Sequence, residues 1–91
     1  GNQKTSMKSC PSWVVYILEC ADGTFYTGMT NDLEKRLKKH NQGTASKYTR
    51  ARRPVKLAYV EPLHSRSEVL RRERAIKTLS RPEKLRLMNL A

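Results

Sequence analysis

Acidic side chains are scarce in this 91-residue chain: eight Asp and Glu stand against 19 Lys and Arg, a formal net charge of +11 with histidines neutral. That shortage excludes a charge-balanced surface and points to polyanionic partners, of which nucleic acid is the commonest inside a cell. Solubility alone is the plainer reading, and composition leaves it open. Long apolar runs are missing as well. The longest, Trp13 to Leu18, falls far below the ~20 residues of a membrane-spanning helix and below a ~7 to 15 residue signal-peptide core, so no membrane partner and a cytoplasmic location are expected. Cysteines number two, Cys10 and Cys20. They form no C-x-x-C pair and have no histidine cluster nearby, so neither a zinc site nor a disulfide framework is indicated, and both read as reduced thiols.

What is present suits one small folded domain. Hydrophobic residues make up 37% and charged residues 30%, too apolar a mixture for outright disorder, and a chain of this size buries only roughly 60 to 65% of its unfolded surface on folding. Residues 1–12 (GNQKTSMKSCPS) lack periodicity and are expected to form a flexible tail, leaving 13–91 as the single domain and a monomer as the expected state. From Trp13 to Cys20 the sequence WVVYILEC is β-branched and aromatic, and Thr24 to Thr30 (TFYTGMT) is a second run of strand formers. Ala21, Asp22 and Gly23 join them as a hairpin. A three-residue loop with Gly23 in the left-handed region sets residue 18 opposite 26 and 16 opposite 28, which puts Tyr16 and Tyr26 on one face; a two-residue Asp-Gly loop would put them on opposite faces.

Asn31 has capping-box spacing to Glu34 and opens a helix, DLEKRLKKHNQ, that Gly43 stops. Arg36 and His40 follow Leu33 by three and seven residues and border its apolar stripe. A basic loop, GTASKYTRARRP, runs to Pro54, and Val55 to Glu61 alternates as a third strand. Ser65 with Glu68 and Ser80 with Glu83 are further capping boxes, opening a helix over about 66–78 with Val69, Leu70, Ile76 and Leu79 on one side, and another carrying Leu85 and Met88. The order strand, strand, helix, strand, helix, helix predicts a small α/β (α+β) fold with a three-stranded, largely antiparallel sheet flanked by helices.

Several residues could carry chemistry. Glu73 places a carboxylate in the core-facing stripe of its helix, where a magnesium ion with phosphate oxygens or an ion pair with a neighbouring arginine would account for it equally well. Arg36 and His40, one turn apart, suit a phosphate clamp beside a proton carrier, though a solvated basic helix has the same composition. Tyr16 and Tyr26 fit core or rim positions of a sheet as well as a site. His64 precedes a cap and reads as a loop residue. Lys47, Tyr48, Arg50, Arg52 and Arg53 interleave a ring with cations, as backbone and single-strand binders do and as an exposed basic turn also would.

Taken in order, these segments resemble the GIY-YIG nuclease superfamily. Val14-Val15-Tyr16 stands at the GIY element and Tyr26-Thr27-Gly28 at the YIG element. Arg36 and His40 match the arginine, and the His or Tyr one turn later, of the following helix, and Glu73 in LRRERAIK matches the metal-binding glutamate. The likeness spans roughly residues 13–80 and is greatest to a small stand-alone bacterial branch carrying similar KYTRxRRP and IKxLSR segments. Val14 replaces the first glycine and Thr27 the second isoleucine. The polar residue, often Asn, that many family nucleases carry after the glutamate has no clear match, Asn89 being the only downstream asparagine.

The resemblance implies a metal-dependent endonuclease that hydrolyses phosphodiester bonds, with DNA ahead of RNA as substrate and a role in DNA repair or processing. It implies one Mg2+ or Mn2+ on Glu73, Arg36 on the phosphoryl oxygens, and Tyr16 with an acidified phenol helping to deprotonate water. Tyr26 would orient water or phosphate, and His40 would be the alternative base or Tyr16's partner. It also requires Tyr16 and Tyr26 on one face, with Gly28 leaving room beside the Tyr16 ring. Lys39, Lys47, Tyr48, Arg50, Arg52, Arg53, Arg72 and Lys77 are the expected nucleic-acid contacts. A non-catalytic nucleic-acid-binding module on the same fold is the alternative, and a small ribosome- or RNA-associated protein a third. The charge is not diffuse: residues 32–53 hold eight Lys and Arg against two acids, and residues 66–86 hold eight against three. All of the net charge comes from these two segments.

Overall fold

The computed structural model describes residues 13–90. The expected tail and Cys10 lie outside the described residues. Three strands, β1 (Trp13–Glu19), β2 (Phe25–Thr30) and β3 (Lys56–Leu63), combine with four helices, α1 (Leu33–Gln42), α2 (Lys47–Arg50), α3 (Arg66–Lys77) and α4 (Arg81–Leu90), in the chain order β1-β2-α1-α2-β3-α3-α4. The sheet is antiparallel in the order β2-β1-β3. β1 is thus central, which explains its apolar run from Trp13 to Leu18. A strand covered on both faces has no position to give to polar residues.

The hairpin register follows from its loop. Gly23 adopts φ 84°, Cys20 and Thr24 close the loop through the Cys20 N–H and the Thr24 carbonyl at 2.9 Å, and Tyr16 stands opposite Gly28 with Leu18 opposite Tyr26. The three-residue loop is the observed one, and both tyrosines lie on one face. Asp22 fastens the turn by accepting from the Thr24 N–H at 3.1 Å and the Thr24 hydroxyl at 2.6 Å.

Each sheet face has its own core. Val15 and Ile17 point to one side and pack with Val69 and Ile76 of α3, with Leu87 and Met88 of α4 against the edge. Tyr16, Leu18, Cys20 and Val55 form the other core, closed by Leu33 and Leu37 of α1 and by Tyr26. Period-two alternation in one strand therefore separates a purely structural face from the face that holds the tyrosines.

Several boundaries differ from the sequence reading. The α1 cap is Asp32, not Asn31: the Asp32 carboxylate accepts from the Lys35 N–H at 3.2 Å. Both residue types cap well, so the spacing to Glu34 did not decide between neighbours. β3 runs over Lys56–Leu63 rather than 55–61, because an edge strand tolerates Pro62, whose missing N–H deprives no ladder. Leu85 is exposed at 39%; α4 docks through the stripe of Lys84, Leu87 and Met88, which leaves Leu85 off its inner face. The basic stretch 43–54 is not all loop, since Ser46 caps the single turn α2 by accepting from the Thr49 N–H at 3.2 Å.

Ser65 and Ser80 both cap their helices, but only the second closes as a reciprocal capping box. Glu68 N–H donates to Ser65 Oγ at 3.2 Å, although the Glu68 carboxylate returns to the His64 N–H at 3.0 Å, one residue earlier than the motif implies. Ser80 and Glu83 reciprocate, with 2.8 Å from the Ser80 N–H to the Glu83 carboxylate.

Candidate active site

Tyr16 occupies the middle of the central strand and is 2% exposed. Its ring crosses the neighbouring strand at Gly28: a Cβ placed there would sit 2.5 Å from Tyr16 Oη and 2.6 Å from Cζ. Only a residue without a side chain lets the phenol lie in this position, which is the physical content of the glycine in the Tyr26-Thr27-Gly28 element.

The phenol meets α1. Tyr16 Oη and His40 Nε2 are 2.9 Å apart, and on the far side of the ring His40 Nδ1 lies 2.8 Å from Thr49 Oγ1 of α2. His40 is 1% exposed and Thr49 fully buried. The sequence placed His40 at the border of the apolar stripe; it sits at the centre of the packed face. Tyr26 adds a second aromatic edge, 5.1 Å from the His40 ring centroid and 5.8 Å from that of Tyr48. Thr49 was missed by sequence reasoning. The signal available was Ser46, a cap three residues earlier, which converts KYTR from loop to helical turn and so fixes the direction of the Thr49 side chain.

Two charges border this pair. Arg36, one turn before His40 on α1, is near enough to stabilise an ionised Tyr16 and to oppose a charged His40, while the Glu73 carboxylate opposes ionisation of Tyr16. Burial outweighs Arg36. It is the largest influence on Tyr16 and, with Tyr26 and Glu73, raises the phenol well above its ordinary 10. The protein's own groups thus favour the protonated phenol; the acidified phenol that the resemblance implies is one beside a bound metal ion. His40 shifts down from 6.5, by burial first and the Arg36 charge second, so the imidazole is neutral at pH 7.

Glu73 lies on α3 with its side chain 16% exposed, 3.4 Å from the Lys77 ammonium one turn on. The ion-pair reading of the sequence holds with a lysine in place of an arginine. Among the described residues no three His, Cys, Asp or Glu gather into a cluster. A lone carboxylate does not make an all-protein cage, yet it fits a hard cation such as Mg2+, which keeps several waters and binds through one or two carboxylates plus substrate phosphates.

The basic candidates divide into two groups. Arg52 bridges Asp22 at 3.1 Å, donates to the Tyr48 carbonyl at 3.0 Å and lies 3.9 Å over the Tyr48 ring. Arg53 donates to the Arg50 carbonyl at 3.1 Å, and Arg72 binds Glu61 at 2.8 Å. These three, with Lys77, are engaged within the fold. Lys39, Lys47 and Arg50 are exposed and make no side-chain hydrogen bond or salt bridge among the described residues. Lys39 also lines a hollow with Thr30, Asn31, Asp32, Lys35 and Arg36, so cations converge at the open side of α1. Tyr48 is 37% exposed, with Arg52 over its ring.

Residues 12–86 match the model of the GIY-YIG catalytic domain. The chain is 52% identical over 75 residues to a UPF0213 protein of Staphylococcus saprophyticus, spanning 82% of this chain and 92% of that protein. It is 53% identical over 70 residues to a UPF0213 protein of Halobacterium salinarum, spanning 77% and 91%. The solution NMR structure of a UPF0213 protein from Bacillus halodurans matches with a TM-score of 0.57 and 46% identity, covering 86% of this chain and 83% of that one. The matched family is one of nucleases that act on nucleic acid, generally with divalent metal ions. On sequence and fold together, the chain belongs to the GIY-YIG nuclease superfamily, beside the UPF0213 proteins it resembles.

Proposed function

We propose that this protein is a metal-dependent endonuclease that hydrolyses DNA phosphodiester bonds, with a role in DNA repair or processing. The observation that carries the reading is the buried hydrogen bond of 2.9 Å between Tyr16 Oη and His40 Nε2, with the charges of Arg36 and Glu73 both acting on the phenol. A stability role alone gives no reason to bury a histidine flanked by a cation and facing a phenol.

Glu73 would hold one Mg2+ or Mn2+, which supplies Lewis-acid neutralisation of the phosphate when bound. Arg36 neutralises the phosphoryl oxygens as charge builds on them. Tyr16 Oη takes a proton from the attacking water as its own passes to His40 Nε2. A bond forms from the water oxygen to phosphorus, the opposite P–O bond breaks, and the departing sugar oxygen takes a proton from solvent. Tyr26, edge-on to His40, orients the phosphate or water. Lys39, Lys47 and Arg50 hold flanking phosphates.

One observation favours a second reading. Glu73 is paired with Lys77, as a structural carboxylate would be, and a non-catalytic nucleic-acid-binding module on this fold needs no more from it. Incubation of the purified protein with nicked, branched and supercoiled DNA in Mg2+ or Mn2+, beside Glu73→Ala and Arg36→Ala, separates the two. The nuclease reading expects cleavage lost in both variants. Cleavage that survives loss of Glu73 would mark a contaminant and sink it, and binding without cleavage in all three proteins would establish the module.

A further inference from the structure

The chain Tyr16 Oη, His40 Nε2, His40 Nδ1, Thr49 Oγ1 admits two proton arrangements, and they give Tyr16 opposite roles. In one, the phenol donates to Nε2, the Nδ1–H donates to Thr49, and the Thr49 hydroxyl donates to the Ser46 carbonyl, 3.4 Å away. In the other, Nε2–H donates to the phenol oxygen and the Thr49 hydroxyl donates to Nδ1, which leaves the phenolic hydrogen without an acceptor among the described residues. The first arrangement places all three protons in bonds. In the second, the phenolic hydrogen depends on solvent for its acceptor, a dependence the first does not have. A phenol is also the stronger acid and imidazole nitrogen the stronger base, so the O–H to N bond is the better of the two.

We infer that Thr49 is a positioning residue that fixes His40 as the Nδ1–H tautomer, so that the Tyr16 hydroxyl donates inward to His40 and its lone pairs face the open side of the site. His40 alone does not decide this, because the neutral ring has two tautomers and the partner of one nitrogen sets the state of the other. Thr49 can take that role because Ser46 both caps α2 and offers the carbonyl that receives the Thr49 hydroxyl. The hydroxyl proton is thereby turned away from the imidazole, and its oxygen is left as an acceptor. When Tyr16 passes its proton to Nε2, the resulting imidazolium keeps its Nδ1–H bond to Thr49 without rearrangement.

The tautomer stands on geometry alone, whereas its catalytic consequence rests on the nuclease reading. Long-range 1H–15N spectra of the imidazole nitrogens near pH 7, with His64→Gln used to assign His40, read the tautomer directly. The expected result is a protonated, pyrrole-type Nδ1 and a bare, pyridine-type Nε2. Thr49→Val, close in shape and without the acceptor, is expected to move population toward Nε2–H and lower kcat about tenfold with KM unchanged, the loss of one ordinary hydrogen bond. Thr49→Ser should restore both. A protonated Nε2 in the wild-type protein overturns the inference, as does a Thr49→Val spectrum that keeps Nδ1–H. Should no variant cleave DNA, the nuclease reading fails while the tautomer measurement still decides the role of Thr49.

Discussion

Tyr16 and His40 hold each other in uncharged form, and the pH dependence of the protein should show it. Three groups face the His40 ring from other elements, Tyr16 of β1, Tyr26 of β2 and Thr49 of α2, and Arg36 adds its charge from the same helix. A histidine in the unfolded chain takes up a proton near 6.5, but the buried ring resists it, so below that pH the unfolded state binds more protons than the native state. Stability is then complete above about 6.5 and falls as pH drops toward the depressed native value. The urea midpoint should decline through this window, and the decline should flatten in His40→Gln. An equal decline in the variant would assign the slope to other groups.

Thr27 makes a second prediction at this scale. It faces Ile17, is 3% exposed, and its hydroxyl has no hydrogen-bond partner among the described residues. Thr27→Val removes the unpaired hydroxyl at nearly constant shape and should raise stability by about 1 kcal/mol in denaturant melts. A loss of stability would mean that the hydroxyl has a partner in solution. Both tyrosines, Arg36, His40 and Glu73 each had an ordinary structural reading in the sequence, and it was their ordered likeness to the nuclease family that joined them into a site. Thr49 was not, because nothing marks a threonine in a basic stretch until Ser46 turns that stretch into a helix.

At the scale of elements, α3 does two things at once. Val69 and Ile76 anchor it to the structural face of the sheet, while Glu73 of the same helix acts electrostatically on Tyr16 and binds Lys77 at i+4. A cation at Glu73 must compete with that lysine. Lys77→Met should lower the Mn2+ concentration for half-maximal cleavage about twofold, the size of an exposed i,i+4 pair, with Tm nearly unchanged. A higher Mn2+ requirement would show that Lys77 assists metal binding instead.

The hairpin residues left two registers open, one for a two-residue and one for a three-residue loop, and the family likeness chose the three-residue one that the sheet adopts. The starts of α1, α3 and α4 were readable to within a residue, since Asn31 and Asp32 can both cap, whereas α2 was read as loop. The partners of Arg52 and Arg72 were not readable. Their acids, Asp22 and Glu61, lie 30 and 11 residues away, and only the folded sheet brings them together.

For the molecule as a whole, the surplus of positive charge divides by use. Arg52 ties its loop to the hairpin turn, Arg53 binds the Arg50 carbonyl of α2 and Arg72 ties α3 to β3, whereas Lys39, Lys47 and Arg50 stand exposed on the α1 and α2 side. Salt titrations of DNA binding should separate the groups. Substituting any one of the exposed three by alanine is expected to reduce the slope of log K against log salt by about 0.9 with little change in Tm. Arg72→Ala should instead lower Tm and leave the slope in place. A slope insensitive to all three exposed cations would place the nucleic acid on another surface.

The central claim is that the Tyr16 hydroxyl, backed by His40, moves the proton of the attacking water. Single-turnover cleavage of a nicked or branched DNA by Tyr16→Phe, measured beside the wild type with DNA affinity determined in parallel, tests it most directly. The variant loses one oxygen and keeps the ring that packs on Gly28. The account predicts a rate at least ~100-fold lower, the usual worth of a positioned acid–base group, at unchanged affinity. A Tyr16→Phe protein that cleaves at the wild-type rate would contradict it.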